Sequence, residues 1–374
     1  MPRCLISCLF VFFVVLLSLG HADDDVQRAK DAIVVRALAR LPGIDLSTKP
    51  DAEAALLRHL ETIKATDSYF DLIEKFKLRE LGAQLLQIAA EASDSTIAVK
   101  AARLLVKFDD RELLAKAIAD QDSAKAAKIV EVLGLLADAK TNDLVASLIT
   151  EADKPLAARA AAVTALGRNA PGEKRLLEIV EQERLPADTQ FAAANALLSS
   201  SDEAIRTRAA KRLSLPAAAG GEPLPPVAEL VRRTGDAERG KTLFNATGTC
   251  AKCHKVNGEG KDVGPDLSEI GSKLSKEAMY VSILDPNAGV SFNYETYVAR
   301  TLDGTTLSGI LVSQTDDSVE LKTAEAVVHK LKRDDIEALK KLPTSLMPAD
   351  LQKQIKADDL VDIVEYLTTL KKRN

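Results

Sequence analysis

Residues 250–254 read Cys250-Ala-Lys-Cys253-His254, a C-x-x-C-H motif, and the interpretation of the whole chain depends on this stretch. Two thiols three positions apart on one helical turn can reach the two vinyl groups of a single haem, and the next residue then presents its imidazole to the iron. The motif therefore predicts one covalently attached haem c. In this prediction Cys250 and Cys253 carry the haem, and His254 is an axial ligand of its iron.

Residues 1–22 have the pattern of an export signal, because a short basic start precedes a mostly apolar run over residues 5–19. That run is shorter than the roughly twenty residues needed to cross a bilayer. We expect cleavage after Ala22, no membrane span afterwards, and a periplasmic or otherwise exported protein. Cys4 and Cys8 would leave with the leader, so the mature chain would keep only the two motif cysteines.

Two other kinds of site use a C-x-x-C pair, and the surrounding sequence favours neither. A thioredoxin-like redox pair needs a βαβ setting, whereas a short predicted helix over residues 236–244 and a Gly/Thr loop precede this motif. Zinc needs four ligands, and the three mature histidines, His59, His254 and His329, are scattered over separate segments.

A pair of helices is predicted to flank the motif. Gly240 and Phe244 lie four positions apart and therefore share a face of the first helix. The last helix has its apolar residues at i, i+3, i+4 and i+7, which are Leu360, Ile363, Val364 and Leu367. The glycine permits a close crossing of the two helices, with Tyr366 or Leu367 filling the space beside it.

Residues 236–372 resemble the planctomycete-type haem-binding domain, a branch of class I cytochrome c. The matching pieces are Gly240-Lys-Thr-Leu-Phe244, Cys250 to His254, Gly264-Pro-Asp-Leu267, Ser282-Ile-Leu-Asp-Pro286, Gly304-Thr-Thr-Leu-Ser-Gly309, Ser345-Leu-Met-Pro348, and Asp359-Leu360 running on to Tyr366-Leu367. The resemblance implies that the Pro265 carbonyl accepts the ring N–H of His254. It also implies that Met347 is the sixth ligand of the iron.

The residues themselves also favour Met347 among the candidates for that ligand. Met347 lies in a loop just before the closing helix, where a thioether can reach over the haem. Met279 lies in a predicted helix, where methionine usually fills a core, and His329 lies on a predicted strand. His329, Met279, His59 and an open site remain as alternatives.

Residues 293–333 break the helical pattern and predict a small antiparallel β insert. Short alternating runs are separated by turns at Asp303-Gly304 and at residues 315–317. The insert is interpreted as a cover for a haem edge, a docking surface or a stabilising patch, and the sequence does not choose between these roles.

Residues 23–213 predict a helical repeat domain. A small-residue signature recurs, and its equivalent leucines, Leu105, Leu133, Leu166 and Leu198, are 28, 33 and 32 residues apart. The Ala-rich run that ends at residues 165–168 resembles the HEAT-like α-solenoid family. Such a domain either docks a protein partner on its concave surface or only spaces and stabilises its neighbour.

Composition and charge fit this two-domain reading. The chain has 374 residues, 46% of them hydrophobic, and a formal net charge of −5, so it lacks the cationic field that a nucleic-acid partner requires. Residues 214–235 contain four prolines and two adjacent glycines, which predicts a semi-stiff linker between the repeat domain and a second domain over residues 236–374.

The predicted fold class is mainly α: a HEAT-like α-solenoid followed by a class I cytochrome c fold that carries the β insert. The predicted function is electron transfer through a His/Met-ligated haem, with an unknown dehydrogenase or electron acceptor as redox partner. Because this ligation fills both axial positions, no catalytic acid or base is required. The alternatives are a haem enzyme or gas sensor with an open or weak sixth site, and a scaffold with a structural haem.

Overall fold

The computed structural model describes residues 24–372, with residues 121, 292 and 343 left aside. It is mainly α-helical with two small antiparallel sheets. The predicted export signal, residues 1–22, lies outside the described residues. Within the described part, no helix combines the length and apolar character that a membrane crossing needs. The chain divides into two compact units, Met1–Leu114 and Ala115–Asn374.

The first unit is a set of short amphipathic helices. They are α1 (24–40), α2 (Pro50–Thr62), α3 (Asp67–Phe76), α4 (Gly82–Glu91) and α5 (Ser95–Lys107), and α6 (Arg111–Ile118) crosses the boundary between the units. Polar side chains cap the starts of α3 and α5, as where Thr66 accepts the N–H of Tyr69. The buried carboxylate of Asp31 accepts two hydrogen bonds of 2.8 Å from the Arg58 guanidinium, which joins α1 to α2.

The second unit begins with six further helices. They are α7 (Ser123–Gly134), α8 (Ala139–Ile149), α9 (Leu156–Leu166), α10 (Ala170–Glu181), α11 (Gln190–Leu198) and α12 (Glu203–Ala209). Side-chain bonds recur between residues 27 to 29 positions apart, joining Asn142 to Asn169, Arg159 to Asp188, Glu173 to Ser200 and Glu181 to Arg208. This offset is close to the 28-residue spacing of the first two equivalent leucines and shorter than the later spacings of 33 and 32 residues, and the HEAT-like assignment stays a prediction.

Small residues bring helices of neighbouring repeats together. A Cβ added to Gly134 would lie 2.5 Å from the Cβ of Ala165, and one added to Gly167 would lie 2.6 Å from the Cβ of Ala196. Neither pair of helices could approach so closely with a larger residue at these positions. The small residues therefore allow close packing at both contacts.

Residues 214–235, predicted as a linker, lie inside the second unit and contain the helix α13 (Val227–Arg232). Leu224, Val227 and Leu230 are at most 3% exposed and join the core of the C-terminal helices. The N–H of Val227 also donates to Asn195 Oδ1 at 2.7 Å, which connects this segment to α11. The segment is therefore packed on both sides, although the domain boundaries themselves stay a prediction.

The C-terminal helices are α14 (Ala237–Asn245), α15 (Ile270–Lys273), α16 (Lys276–Leu284) and α17 (Ala357–Thr369). Helices α14 and α17 cross at Gly240, where an added Cβ would lie 1.9 Å from the carbonyl oxygen of Asp362. The rings of Phe244 and Tyr366 pack edge to face beside the crossing, with centroids 5.7 Å apart. The predicted close crossing is confirmed, and Tyr366 is the residue that fills the adjacent space.

Two antiparallel sheets lie between these helices in the order of the chain. The first is a hairpin of β1 (Lys255–Val256) and β2 (Glu259–Gly260). The second contains β3 (Thr296–Thr301), β4 (Thr306–Gln314), β5 (Ser318–Lys322), β6 (Val328–Lys332) and β7 (Ile336–Lys341), in the order β6-β5-β4-β3-β7. The sequence predicted the insert to end at residue 333, whereas the sheet extends to 341. Strand β7 was missed because Ile336-Glu-Ala-Leu-Lys-Lys341 lacks alternation and is rich in helix-forming residues.

Candidate functional site

The C-x-x-C-H motif forms one tight turn directly after α14. Its 3₁₀ segment is Cys250–Lys252, and the N–H groups of Cys253 and His254 donate to the carbonyl of Cys250 at 3.0 and 2.9 Å. The preceding loop is closed by the N–H of Gly248, which donates to the Leu243 carbonyl at 2.8 Å. Both cysteines are free and half-buried. The turn thus places the two thiols and the imidazole on one short segment.

Residues 261–264, which we call the strap, run back along this turn. The N–H of Lys261 donates to the Ala251 carbonyl at 3.0 Å, and the N–H groups of Val263 and Gly264 donate to the Cys253 carbonyl at 2.9 and 2.8 Å. The chain reaches the strap through the β1–β2 hairpin, whose turn has positive φ angles at residues 257 and 258. The strap therefore fixes the backbone of the motif.

The ring of His254 is held by two neighbours. Its Nδ1 lies 2.8 Å from the carbonyl oxygen of Pro265. Because a carbonyl only accepts, Nδ1 carries the proton and the lone pair is left on Nε2, the arrangement that suits a metal-ligating histidine. A Cβ added to Gly264 would lie 2.5 Å from Cε1 and 3.0 Å from Nε2, so the glycine packs directly against the ring.

Burial controls the protonation of these groups. It lowers the pKa of His254, against the opposing effect of the Pro265 carbonyl, so the ring is neutral near pH 7. Burial also raises the pKa of Cys250 to about 11 and raises that of Cys253. The site therefore presents two protonated thiols and a neutral imidazole. Within the described residues, His, Cys, Asp and Glu side chains form no group of three that suits a metal ion.

The other candidate ligands lie on separate elements. Met347 is half-buried in the loop between β7 and α17, where its N–H donates to Ser345 Oγ at 3.1 Å. Met279 is 2% exposed inside the C-terminal core. His329 is exposed on the edge strand β6, and His59 belongs to α2 in the first unit. The structure thus brings together Cys250 to His254 and Pro265, while Met347 lies on a separate loop between β7 and α17.

That loop is anchored to the end of α16. The N–H of Ser345 donates to Asn287 Oδ1 at 2.8 Å, and Asn287 follows directly after the Ser-Ile-Leu-Asp-Pro piece at residues 282–286. This piece also holds Asp285, where burial raises the pKa to about 6, assisted by the nearby Asp188 carboxylate. The sequence analysis singled out neither Asn287 nor the strap residue Asp262. No local pattern marks them, because each acts on residues far away in the chain.

Comparison with known proteins identifies part of this unit. Residues 237–341 match the family model described as cytochrome c. The matched range begins with α14, includes the C-x-x-C-H turn and the strap, and ends with β7, before Met347 and α17. A comparison with curated proteins finds no match. The family match supports a cytochrome c-type haem-binding domain and therefore haem-based electron transfer in this part of the chain.

Proposed function

We propose that this chain is an exported monohaem c-type cytochrome that passes electrons between protein partners. The observation that carries the proposal is the environment of His254, whose ring is fixed by Pro265 and Gly264 next to two free thiols. Such an arrangement orients a neutral imidazole toward an iron and keeps both thiols available for haem attachment.

The residues present fit a haem c. A side chain at residue 264 would collide with the imidazole, so the glycine allows the His254 ring to lie against the strap. Cys250 and Cys253 flank the same turn, and neither is used in a disulfide. When bound, the haem supplies an iron that changes between the ferric and ferrous states. The protein contributes attachment, ligand orientation and an apolar surrounding that sets the potential.

Met347 is proposed as the sixth ligand. Its support is the placement of the residue on a half-buried loop that Ser345 and Asn287 hold in position, whereas Met279 is packed into the helical core. A thioether ligand favours the ferrous iron and raises the reduction potential. With His254 and Met347 both holding the iron, the site would transfer electrons and would leave no position for a substrate.

The redox partner is proposed to be a separate protein, either a dehydrogenase or an electron acceptor. The helical repeats over residues 23–213 would dock that partner, since stacked repeats form extended binding surfaces. Export is supported by the leader pattern of residues 1–22 and by the cytochrome c family match, because such domains are commonly exported.

Mass spectrometry after acid–acetone extraction tests the covalent attachment. We expect the chain, expressed in a host that attaches haem, to keep the mass of one haem bound at Cys250 and Cys253. A chain of apo mass, or a haem that leaves with the solvent, would remove the cytochrome proposal. Replacing both cysteines with alanine is the matched control and should yield the apo mass.

A visible spectrum of the purified protein tests the ligation. His/Met coordination gives a low-spin ferric haem with a weak far-red charge-transfer band. A high-spin spectrum together with rapid binding of carbon monoxide would instead indicate an open site, and would support a haem enzyme or gas sensor.

A further inference from the structure

We propose that the β insert holds the haem-attachment turn in place through Lys322, which acts as a positioning residue for His254. The inference rests on the proposed haem site and assigns the insert a definite role in it. The sheet begins some forty residues after the motif, and its strand β5 contacts the strap through Lys322.

Lys322 is the last residue of β5, and its ammonium group lies against the strap. It donates to the backbone carbonyl of Asp262 at 2.8 Å and to Asp262 Oδ2 at 3.2 Å. The Lys322 side chain is only 21% exposed, so its amine is held between the sheet and the strap and does not extend into solvent. A lysine that binds both a carbonyl and a carboxylate of one residue fixes the position of that residue.

The carbonyl that Lys322 binds belongs to a peptide group with a second partner at the motif. The C=O of Asp262 and the N–H of Val263 are the two ends of one planar peptide unit. That N–H donates to the Cys253 carbonyl at 2.9 Å. Lys322 and Cys253 therefore hold the same peptide from opposite ends, and each bond polarises the group in the direction that strengthens the other.

The next residue carries this constraint to the histidine. Gly264 also donates to the Cys253 carbonyl, at 2.8 Å, and lies against the His254 ring, and Pro265 accepts from Nδ1. A displacement of the strap at Asp262 would therefore change both contacts that orient the ring. The path from Lys322 to the imidazole consists of one peptide unit and the following two residues.

The packing of β4 against β5 positions Lys322 beside the strap. A Cβ added to Gly309 on β4 would lie 2.5 Å from the Lys322 carbonyl oxygen and 2.9 Å from its carbon. Only glycine permits β4 to approach the end of β5 so closely. Two further groups of the insert lie beside the strap. Lys261 Nζ donates to the Glu325 carbonyl at 3.5 Å. Burial raises the pKa of Tyr294, and the negative charge of Asp262 raises it further.

The ion pair also determines the charge near the iron ligand. Lys322 compensates the carboxylate of Asp262, which lies two residues before Gly264 on the strap. Without that lysine, Lys255 Nζ at 3.8 Å is the remaining cation near Asp262 Oδ2 in the described structure. An uncompensated carboxylate favours the more positive ferric state, so loss of Lys322 should lower the reduction potential.

Hydrogen exchange on the full-length holoprotein tests the proposal. Lys322→Met keeps the aliphatic stem and removes the donors, so we expect the amides of residues 261–264 to exchange at least about threefold faster. Lys322→Arg keeps a cation with N–H donors and should restore protection. Lys330→Met is the matched control, because Lys330 pairs with Glu320 elsewhere on the same sheet at 3.2 Å.

A redox titration of the same variants gives the second readout. At the wild-type midpoint, Lys322→Met should lower the ferrous-to-ferric ratio roughly threefold. Asp262→Asn, which removes the carboxylate and leaves the lysine, should raise it. The double variant should return close to the wild-type ratio.

The results separate this inference from the proposed function. If the wild-type chain carries no covalent haem, the proposed function fails, and exchange in the strap still tests the contact. If Lys322→Met and Lys330→Met exchange alike over residues 261–264, the positioning role is overturned. Faster exchange with an unchanged potential would also overturn it, because the contact would then stabilise the fold without acting on His254.

Discussion

Replacement of Gly240 by alanine should disrupt the crossing of α14 and α17. The added methyl carbon would lie 1.9 Å from the Asp362 carbonyl oxygen and 2.5 Å from its carbon, and the Tyr366 Cβ lies 3.0 Å away on the same side. Ordinary contact distance requires the helices to separate by roughly 1.5 Å. Because the obstructing atoms belong to the backbone, rotation of a side chain cannot relieve the contact.

The cost follows from two terms. Overpacking of this kind costs about 1–3 kcal/mol. Separation of the helices also weakens the edge-to-face contact of Phe244 with Tyr366, which contributes about 0.5–1.5 kcal/mol. We therefore expect Gly240→Ala to lower the free energy of unfolding of the C-terminal helices by about 3 kcal/mol.

Urea unfolding of the holoprotein, followed at the haem absorption band, measures this change. Gly289→Ala is the matched control, because an added Cβ there has no neighbour within 4 Å and its φ lies outside the left-handed region. That variant should be neutral or gain about 0.5 kcal/mol through lower entropy of the unfolded chain. Equal unfolding midpoints for the two variants would refute the argument from the close crossing.

Three further predictions concern ligation, titration and domain structure. Met347→Ala should give a haem that binds azide or carbon monoxide and has a lower reduction potential. Met279→Ala should leave the visible spectrum unchanged and lower the free energy of unfolding by about 2–5 kcal/mol. The opposite spectral pattern would contradict the ligand assignment. Asp285→Asn should stabilise the fold by about 1–2 kcal/mol at pH 7, because burial raises the pKa of the folded carboxyl to about 6 from its ordinary value of 3.8. The stability that protonation of the native carboxyl confers is fully present below pH 3.8 and is lost as the pH rises through 6. A gain that does not shrink in urea titrations below pH 6 would refute the assignment. A fragment of residues 214–374 should unfold at a higher urea concentration than a fragment of residues 235–374, because the shorter fragment lacks apolar side chains that the core buries. Equal unfolding midpoints would show that residues 214–234 do not stabilise the C-terminal helices.

The positions of the chemical groups could be read from the sequence because they depend on local spacing. The C-x-x-C-H run spans only five residues and forms a single turn here, and the glycine at residue 240 with the apolar stripe of the last helix defines a face on each helix. The strands β3 to β6 also follow from alternation and turns. These features need only residues near one another in the chain, and the structure contains each of them.

Tertiary packing decided the features that join distant segments. The sequence 214–235 has the composition of a linker, yet Leu224, Val227 and Leu230 are buried because the C-terminal helices offer them an apolar surface. The sequence of β7 favours a helix by propensity, and it forms a strand because the edge of β3 supplies its hydrogen-bond partners.

The contact of Lys322 with Asp262 is the clearest case of this difference. Sixty residues separate the two side chains, and neither residue stands out in its local sequence. Their meeting depends on the twist and register of the sheet and on the path of the strap, which hydrogen bonds to the motif determine. The sequence alone determined the two attachment cysteines and the histidine ligand in our proposal, because Cys250, Cys253 and His254 lie within a few positions of one another. The structure decided what holds them in place, because that depends on contacts between chain segments that only folding brings together.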